Sequence, residues 1–436
     1  MNVVEYSGGT QLSISGRFGV GSVRAVVAGY LRAPSIALAS QGLGLIQLVA
    51  LLARHGPTDA TDCYLYFYNL GLLPVQIILV GVFYPMLINK TDVSKRFVDL
   101  YGAITPVLSV ATIGLGMVWM LENGRQFNVV VQIGLLCGLN AFVQSIVWFR
   151  GICAEASGNP VWISGATLPA SFFALVALAL PLRDSLQTVV AMLLFMLLGS
   201  MALVVIQIRS YSVAGVVGEY RSDRASPVVN YWFLARSTTG YGAAVGIQSL
   251  SAQLPPAALT ISSIPVKIVG ATTTIFVNTL LPRLVHRNST DELAGRPLLR
   301  YAVVTISLVS AIACIATFFL AGRYVLFVVI VAIWLIVSSI SSVVTRFAMR
   351  YREPRQLVVT VAVPIGVLSL LWLTSLSSGF SVGAVICAYA LVDGVTSAVL
   401  SRLMSYRWEL WLSSILSFAL GGLWLASIGH SQLFAV

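Results

Sequence analysis

Residues 255–286 read PPAALTISSIPVKIVGATTTIFVNTLLPRLVH. The stretch is apolar over a length that can cross a bilayer, which takes about 20 residues. Polar and small residues recur within it at steps of three or four, namely Thr260, Ser263, Lys267, Gly270, Thr274 and Asn278. This spacing places them on one face of a helix. We predict a transmembrane helix with a polar face, the eighth in the chain.

Lys267 is the deepest cation that this pattern predicts. It lies about 15 Å inside the helix, counted at about 1.5 Å per residue, and an ammonium at that depth must face protein or a water-filled cavity. One interpretation is a structural pair with a buried carboxylate, in which the small residues allow helices to pack closely. The continuous polar stripe between Pro265 and Pro282 favours the other interpretation, a cavity wall.

The composition excludes a soluble protein. Of the 436 residues, 58% are hydrophobic and 9% are charged, and the mean hydropathy is +0.91. The net charge of +11 comes from Lys and Arg residues that lie mainly between apolar runs, which indicates membrane topology and excludes a nucleic-acid partner. Because the sequence has no metal-binding, nucleotide-binding or nucleophile motif, we predict no cofactor, no metal site and no catalytic residue.

The apolar runs predict an all-α polytopic membrane protein with thirteen transmembrane helices, in a range of about 12–14. We divide the chain into a cytoplasmic tail (1–27), a six-helix bundle (28–210), a cytoplasmic linker (211–228), a second six-helix bundle (229–406) and an extra C-terminal helix (407–436). Helices 2 and 8 both end in a Pro-containing segment, 84–88 and 281–285, and both point the same way. This echo predicts parallel repeats with a central cavity between the two bundles.

The distribution of basic residues predicts the orientation. Of the 26 Lys and Arg residues, twenty fall in segments that are inside when the N-terminus is cytoplasmic, and only four fall in outer segments. The remaining two, Arg236 and Lys267, lie within helices. This excess predicts a cytoplasmic N-terminus.

Two segments resemble a known family. Residues 51–88 read LLARHGPTDATDCYLYFYNLGLLPVQIILVGVFYPMLI, and residues 253–287 contain the ending LLPRL. They are similar to the first loop with helix 2, and to the end of helix 8, in the multidrug/oligosaccharidyl-lipid/polysaccharide flippase superfamily, particularly its lipid II and O-antigen flippases. The resemblance implies a multi-pass protein of the bacterial plasma (inner) membrane that works by alternating access, with helices 1, 2, 7 and 8 lining the cavity.

The same resemblance assigns roles to single positions. The acidic residue of the family's first loop falls on Asp62, and Arg24 and Arg32 look like its basic residues before helix 1. The arginine that lipid II flippases carry in helix 2 has no counterpart over residues 73–76, and Lys267 is the cation nearest to their helix 8 arginine. These departures favour a polyprenyl-linked saccharide other than lipid II.

Three further polar stripes lie on helices that the resemblance places at the cavity. Helix 2 carries Asp62, Asn69 and Gln76 at seven-residue steps, helix 1 carries Ser40, Gln47 and Arg54, and helix 7 carries Thr238, Tyr241, Gln248 and Ser251 on one face. The alternative for each stripe is that polar residues hold the helix bundle together. Arg236 lies off the helix 7 stripe and either faces the cavity or extends to the lipid headgroups.

The expected function is flipping of a polyprenyl-diphosphate-linked saccharide for cell-surface polysaccharide or cell-wall biosynthesis. Lys267, Arg32 and Arg54 would contact the diphosphate, Arg236 is a further candidate cation, and the Ser, Thr, Asn and Gln stripes would contact sugars. Asp393, in helix 12, is a candidate site for a coupling proton or sodium ion, or else neutralises a basic partner. The membrane potential is a third possible driving force. Membrane lipids and proteins of glycan biosynthesis are the expected partners.

Three alternatives stay open at this point. The first is a lipid II flippase for peptidoglycan, and the second is an ion-coupled multidrug exporter, which should place carboxylates in its cavity. The third is a membrane-bound glycan polymerase, an enzyme that would need catalytic groups on a sizeable external loop. The predicted outer loops are short, which argues against the polymerase.

Overall fold

The described part of the chain is built from helices alone. The computed structural model describes residues 20–88, 95–156, 159–213, 227–273, 296–321, 324–351, 354–376 and 380–429, and these contain no strand. The first half comprises α1 (Val20–His55), α2 (Asp59–Pro74, π-helical Val75–Phe83 and Tyr84–Ile88), α3 (Lys95–Glu122), α4 (Phe127–Ala156), α5 (Val161–Ser164 and Leu168–Leu178) and α6 (Ser185–Ser210). The second half comprises α7 (Pro227–Ser251), α8 (Ala258–Thr273), α9 (Arg296–Ala321), α10 (Val325–Tyr351), α11 (Val359–Ser375, after the 3-10 segment Pro354–Val358), α12 (Val382–Leu403) and α13 (Arg407–Gly429).

Eleven of these helices are long and apolar enough to cross a membrane. The other two are α7, which is rich in Gly, Ser and Thr, and α8, which is apolar but described only as far as Thr273. Helices suit this environment because a bilayer offers no hydrogen-bond partners to the backbone. The prediction of an all-α polytopic membrane protein is confirmed.

Two helices begin earlier than their apolar runs. Helix α1 starts at Val20, inside the segment interpreted as a tail, and α2 starts at Asp59. Thr58 caps α2, because its hydroxyl accepts from the Thr61 backbone N–H while the Thr61 hydroxyl accepts from the Thr58 N–H. Asp62 therefore lies in the first helical turn and not in the loop to which the resemblance assigned it. A helix start predicted from an apolar run falls too late in the sequence when the first turn of the helix is polar.

Within each half the helices pack mainly against one another, and α2 also contacts helices of the second half. In the first half α4 contacts α2, α3 and α6, and α5 packs between α1 and α6. In the second half α12 contacts α10, α11 and α13, and α9 packs on α10. Helix α2 contacts both α7 and α8, and α1 also reaches α8. The four helices predicted to face one another thus meet at the junction between the halves.

Helix α2 changes from α- to π-helical geometry after Pro74. Proline has no N–H to donate to the carbonyl four residues earlier, and the Thr112 hydroxyl donates to that carbonyl, Leu70 O, at 3.4 Å. The π-helical residues Val75–Phe83 pack against α7. A π-helical segment often marks a functional position. Here it lies at the contact between the halves.

Gly81, in the π-helical segment, permits this close approach. A Cβ atom at position 81 would overlap with the Ser237 side chain of α7, at both its Oγ and its Cβ. We expect Gly81→Ala to destabilise the protein by about 1–3 kcal/mol, because overpacking forces the helices apart. Gly114→Ala in α3 is the control, since that position faces open space and alanine favours a helix. Thermal unfolding of the purified proteins measures both, and equal unfolding temperatures would contradict the tight α2–α7 contact.

Candidate functional site

The ammonium of Lys267 lies beside two tyrosine rings at the junction between the halves. Its Nζ is 5.9 Å from the ring centroid of Tyr64 and 5.6 Å from that of Tyr68. The two rings are one helical turn apart on α2, with centroids separated by 5.8 Å. A cation within about 6 Å of an aromatic centroid is attracted by the ring quadrupole. The contact therefore joins a cation of the second half to aromatic residues of the first.

Helix α1 completes this cluster. Gln47 is buried, and its Nε2 donates to the Tyr64 hydroxyl at 3.0 Å. In the described part of the chain, the ion pairs are those of Arg125 with Asp59 and Asp62 and of Arg300 with Glu409, so no carboxylate neutralises Lys267. Because a charge removed from water without a counter-ion is costly, this ammonium is suited to binding an anion.

Asp62 forms a second contact between the halves. Its carboxylate is fully buried; Oδ2 accepts from the Ala257 N–H at 2.9 Å, and Oδ1 accepts from the Thr260 N–H at 2.9 Å and the Thr260 hydroxyl at 2.6 Å. Arg125, between α3 and α4, lies 3.4 Å from Oδ2 and also pairs with Asp59. An ionised carboxylate at a helix N-terminus is favoured by the helix dipole and the free N–H groups. We call Asp62, Arg125, Ala257 and Thr260 the Asp62 contact.

Further hydrogen bonds close the junction around the Asp62 contact. The hydroxyls of Thr61 and Thr260 are 3.1 Å apart, and so are those of Tyr66 and Ser249. The Trp119 indole donates to Ser249 O at 3.1 Å. Gln248, a predicted site residue, donates to Leu65 O at 3.4 Å. At this end of α2 the two halves are therefore held together by polar groups.

Other predicted site residues are placed elsewhere. The Arg54 guanidinium donates to Leu178 O at 2.6 Å and to Leu182 O, so it caps the end of α5 within the first half. Arg236 donates to the Thr345 hydroxyl of α10 at 3.1 Å. Both guanidinium groups therefore bind other parts of the protein, and neither forms a described contact with the Lys267 cluster.

For the remaining predicted site residues, the structure shows either no hydrogen bond across the junction or no described side chain. Asn69 and Gln76 are partly buried on α2, and the Ser263 hydroxyl donates to Leu259 O of its own helix at 2.7 Å. Thr274 and Asn278 lie outside the described residues, and so does the echo at 281–285. Arg32 is part of α1, but its side chain is also outside the description.

Asp393 is held inside the second half. Its Oδ2 accepts from the Trp334 indole N–H at 2.8 Å. The Trp334 ring stacks on Tyr389, whose hydroxyl donates to Ala244 O of α7 at 2.7 Å. The ion pair between Asp393 and Lys267 that one sequence interpretation allowed is absent among the described residues.

Sequence reasoning missed the partners of the two key charges. Arg125 is one of the four cations in the predicted outer segments, and nothing in the sequence marks it as the partner of Asp62. The spacing of Tyr64 and Tyr68 could have been noticed, since aromatic residues four positions apart share a helix face. This spacing identifies the face but not the cation that packs against it.

One solved transporter structure has a similar arrangement of helices. The lipid II flippase MurJ, in an inward closed conformation, superposes with a TM-score of 0.60 at 12% identity, covering 90% of this chain and 92% of that one. This chain has the fold of a lipid II flippase. The resemblance seen in the sequence is thus confirmed at the level of the fold, although 12% identity does not carry over the substrate.

Structures of multidrug transporters superpose on this chain with lower TM-scores. An inward-facing multidrug resistance transporter of the MATE family, from the MOP superfamily, has a TM-score of 0.47 at 11% identity, covering 89% of this chain and 95% of that one. A mutant of the Vibrio cholerae MATE transporter VcmN has a TM-score of 0.46 at 13% identity, covering 95% and 99%. No protein-family model and no curated protein matches the sequence.

Proposed function

We propose that this chain moves a polyprenyl-diphosphate-linked saccharide from the inner to the outer leaflet of a bacterial plasma membrane. The observation that carries the proposal is Lys267, an ammonium at the junction between the halves with two aromatic neighbours and no carboxylate partner in the described chain. A diphosphate supplies the missing negative charge. A cation–π contact also leaves the N–H groups of the ammonium available to an anion.

The carboxylates argue against an exporter of cationic drugs. Asp62 is engaged by backbone and hydroxyl donors and by Arg125, and Asp393 accepts from the Trp334 indole. Asp62 is therefore not free in this state to attract a cationic ligand, and Asp393 is held inside the second half. The fold likeness to a lipid II flippase keeps that substrate as the second candidate. The missing helix 2 arginine favours another lipid-linked saccharide.

The driving force is part of the proposal. A coupling proton or sodium ion would act at Asp393, the buried carboxylate of α12, and the membrane potential is the other source of free energy. The Trp334 indole N–H donates to Oδ2 of Asp393, so a cation bound there would share the carboxyl group with that donor. Orientation with a cytoplasmic N-terminus rests on the Lys and Arg distribution, and glycan-biosynthesis proteins remain proposed partners.

Alternating access requires the junction near Asp62 to open, and a disulfide across it tests this. With the native cysteines replaced, Thr61→Cys/Thr260→Cys joins the halves where the two hydroxyls are 3.1 Å apart. In vesicles containing a fluorescent polyprenyl-diphosphate disaccharide, oxidation should reduce flipping to the protein-free level, because the covalent bond prevents separation. A reductant should restore flipping.

The matched control joins two helices of the same half. The hydroxyls of Ser109 and Ser145 are also 3.1 Å apart, so Ser109→Cys/Ser145→Cys adds a similar bond that does not cross the junction. Oxidation should leave its flipping unchanged. Full flipping by a completely cross-linked Thr61/Thr260 pair, or no flipping above empty vesicles by the unmodified chain, would contradict the proposal.

A further inference from the structure

A cavity lies between α3 and α4. Its volume is about 430 Å³, within the range of small-molecule sites. It is lined by Asp99, Gly102 and Ala103 of α3, by Ile146, Phe149 and Arg150 of α4, and by Val213 after α6. On each helix the lining residues lie one turn apart, so the two helices present facing walls.

Among the described residues, the cavity lining has one negative and one positive side chain, Asp99 and Arg150, which do not form an ion pair with each other. Asp99 is exposed and forms no ion pair in the described chain. Arg150 donates through Nη2 to Gln207 O at 2.9 Å and Tyr211 O at 2.8 Å, and its guanidinium lies 4.9 Å from the Tyr211 ring centroid. Its Nε is buried, and neither this atom nor the buried Tyr211 hydroxyl has a hydrogen-bond partner in the described part of the chain.

The surroundings indicate that the cavity lies at the level of lipid headgroups. Trp162 packs against Tyr211 with ring centroids 5.6 Å apart. Trp and Tyr are enriched where a membrane meets water. From the cavity, exposed apolar residues continue along α3, with Leu100 53% and Ile104 40% exposed. This surface is suited to acyl chains.

We propose that this cavity binds the headgroup of a zwitterionic aminophospholipid, with the lipid phosphate at Arg150 and its ammonium at Asp99. The positive charge of the Arg150 guanidinium attracts the phosphate, and a primary ammonium donates to the Asp99 carboxylate. A purely anionic headgroup would meet repulsion from Asp99, and a quaternary ammonium could not donate to it. The inference is independent of the transported substrate.

Lipid titration of the purified full-length chain tests the proposal. Phosphatidylethanolamine, phosphatidylglycerol and phosphatidylcholine with identical acyl chains are compared by native mass spectrometry. Phosphatidylethanolamine should bind at least about tenfold more tightly, the size of one charge-assisted contact. Asp99→Asn should remove this preference, whereas Glu122→Gln, an exposed acid at the other end of α3, should not.

A second pair of variants tests the cavity without altering charge. Ala103→Phe fills the space and should abolish binding of all three lipids at this site, whereas Ala111→Phe, on an exposed position of the same helix, should preserve it. Equal binding of phosphatidylethanolamine and phosphatidylglycerol, or unchanged selectivity in Asp99→Asn, would overturn the proposal. Equally effective competition by soluble phosphoethanolamine would assign the site to a free solute and overturn the lipid assignment.

Discussion

Replacing Lys267 with methionine is expected to abolish most flipping while leaving a folded, membrane-inserted protein. Methionine keeps the length of the side chain and its contact with Tyr64 and Tyr68, but removes the charge. Loss of a charge-assisted contact costs about 1.5–3 kcal/mol, roughly a 10- to 150-fold loss of apparent affinity for the diphosphate. The measurement is flipping of the fluorescent polyprenyl-diphosphate disaccharide at equal amounts of protein.

Two comparisons make the Lys267 result specific. Lys267→Arg retains the charge and should keep partial flipping, because arginine binds phosphate but its larger planar group fits the aromatic pair differently. Thermal unfolding of Lys267→Met should not fall, since replacing an uncompensated buried charge by an apolar side chain is often neutral or stabilising. Flipping at the rate of the unmodified chain in Lys267→Met would exclude a substrate role, and loss of the folded protein would identify a structural one.

Replacing Asp62 with asparagine is expected to open the junction on the side of the Asp62 contact. The asparagine NH₂ would face donors from Ala257, Thr260 or Arg125, and the buried guanidinium would lose a partner. Weakening the charge-assisted bonds from Ala257 and Thr260 costs about 1.5–3 kcal/mol per bond, which corresponds to a change of at least about tenfold in the opening equilibrium. Reaction of a cysteine placed at Ser249 with a membrane-impermeant thiol reagent measures this opening.

Asp59→Asn is the matched control for Asp62→Asn. Asp59 also pairs with Arg125, but its side chain is 30% exposed, and exposed pairs contribute about 0–1 kcal/mol. Reactivity at position 249 should therefore rise much less than in Asp62→Asn. Similar reactivity in the two variants would show that the hydrogen bonds from Ala257 and Thr260 do not hold the halves together.

Several properties of this protein were determined by its sequence alone. Hydropathy identified a multi-pass membrane protein and the runs that form α1 to α13, because each helix must be apolar along its own length to cross the bilayer. Helical periodicity placed Lys267 and Thr260 on one face of α8 and Asp62 on the face of α2 that meets it. Both signals are local, so a single segment of sequence contains them.

The partners of those residues were decided only by the tertiary structure. Asp62 and Thr260 are separated by 198 positions in the sequence. Arg125, which pairs with Asp62, lies in the loop between α3 and α4. Arg54 has the charge and spacing expected of a cavity residue. In the folded chain, however, its guanidinium donates to backbone carbonyl oxygens at the end of α5. Charge and periodicity predict which residues need a partner, but the partner depends on which helices pack side by side, and that is a property of the whole folded chain.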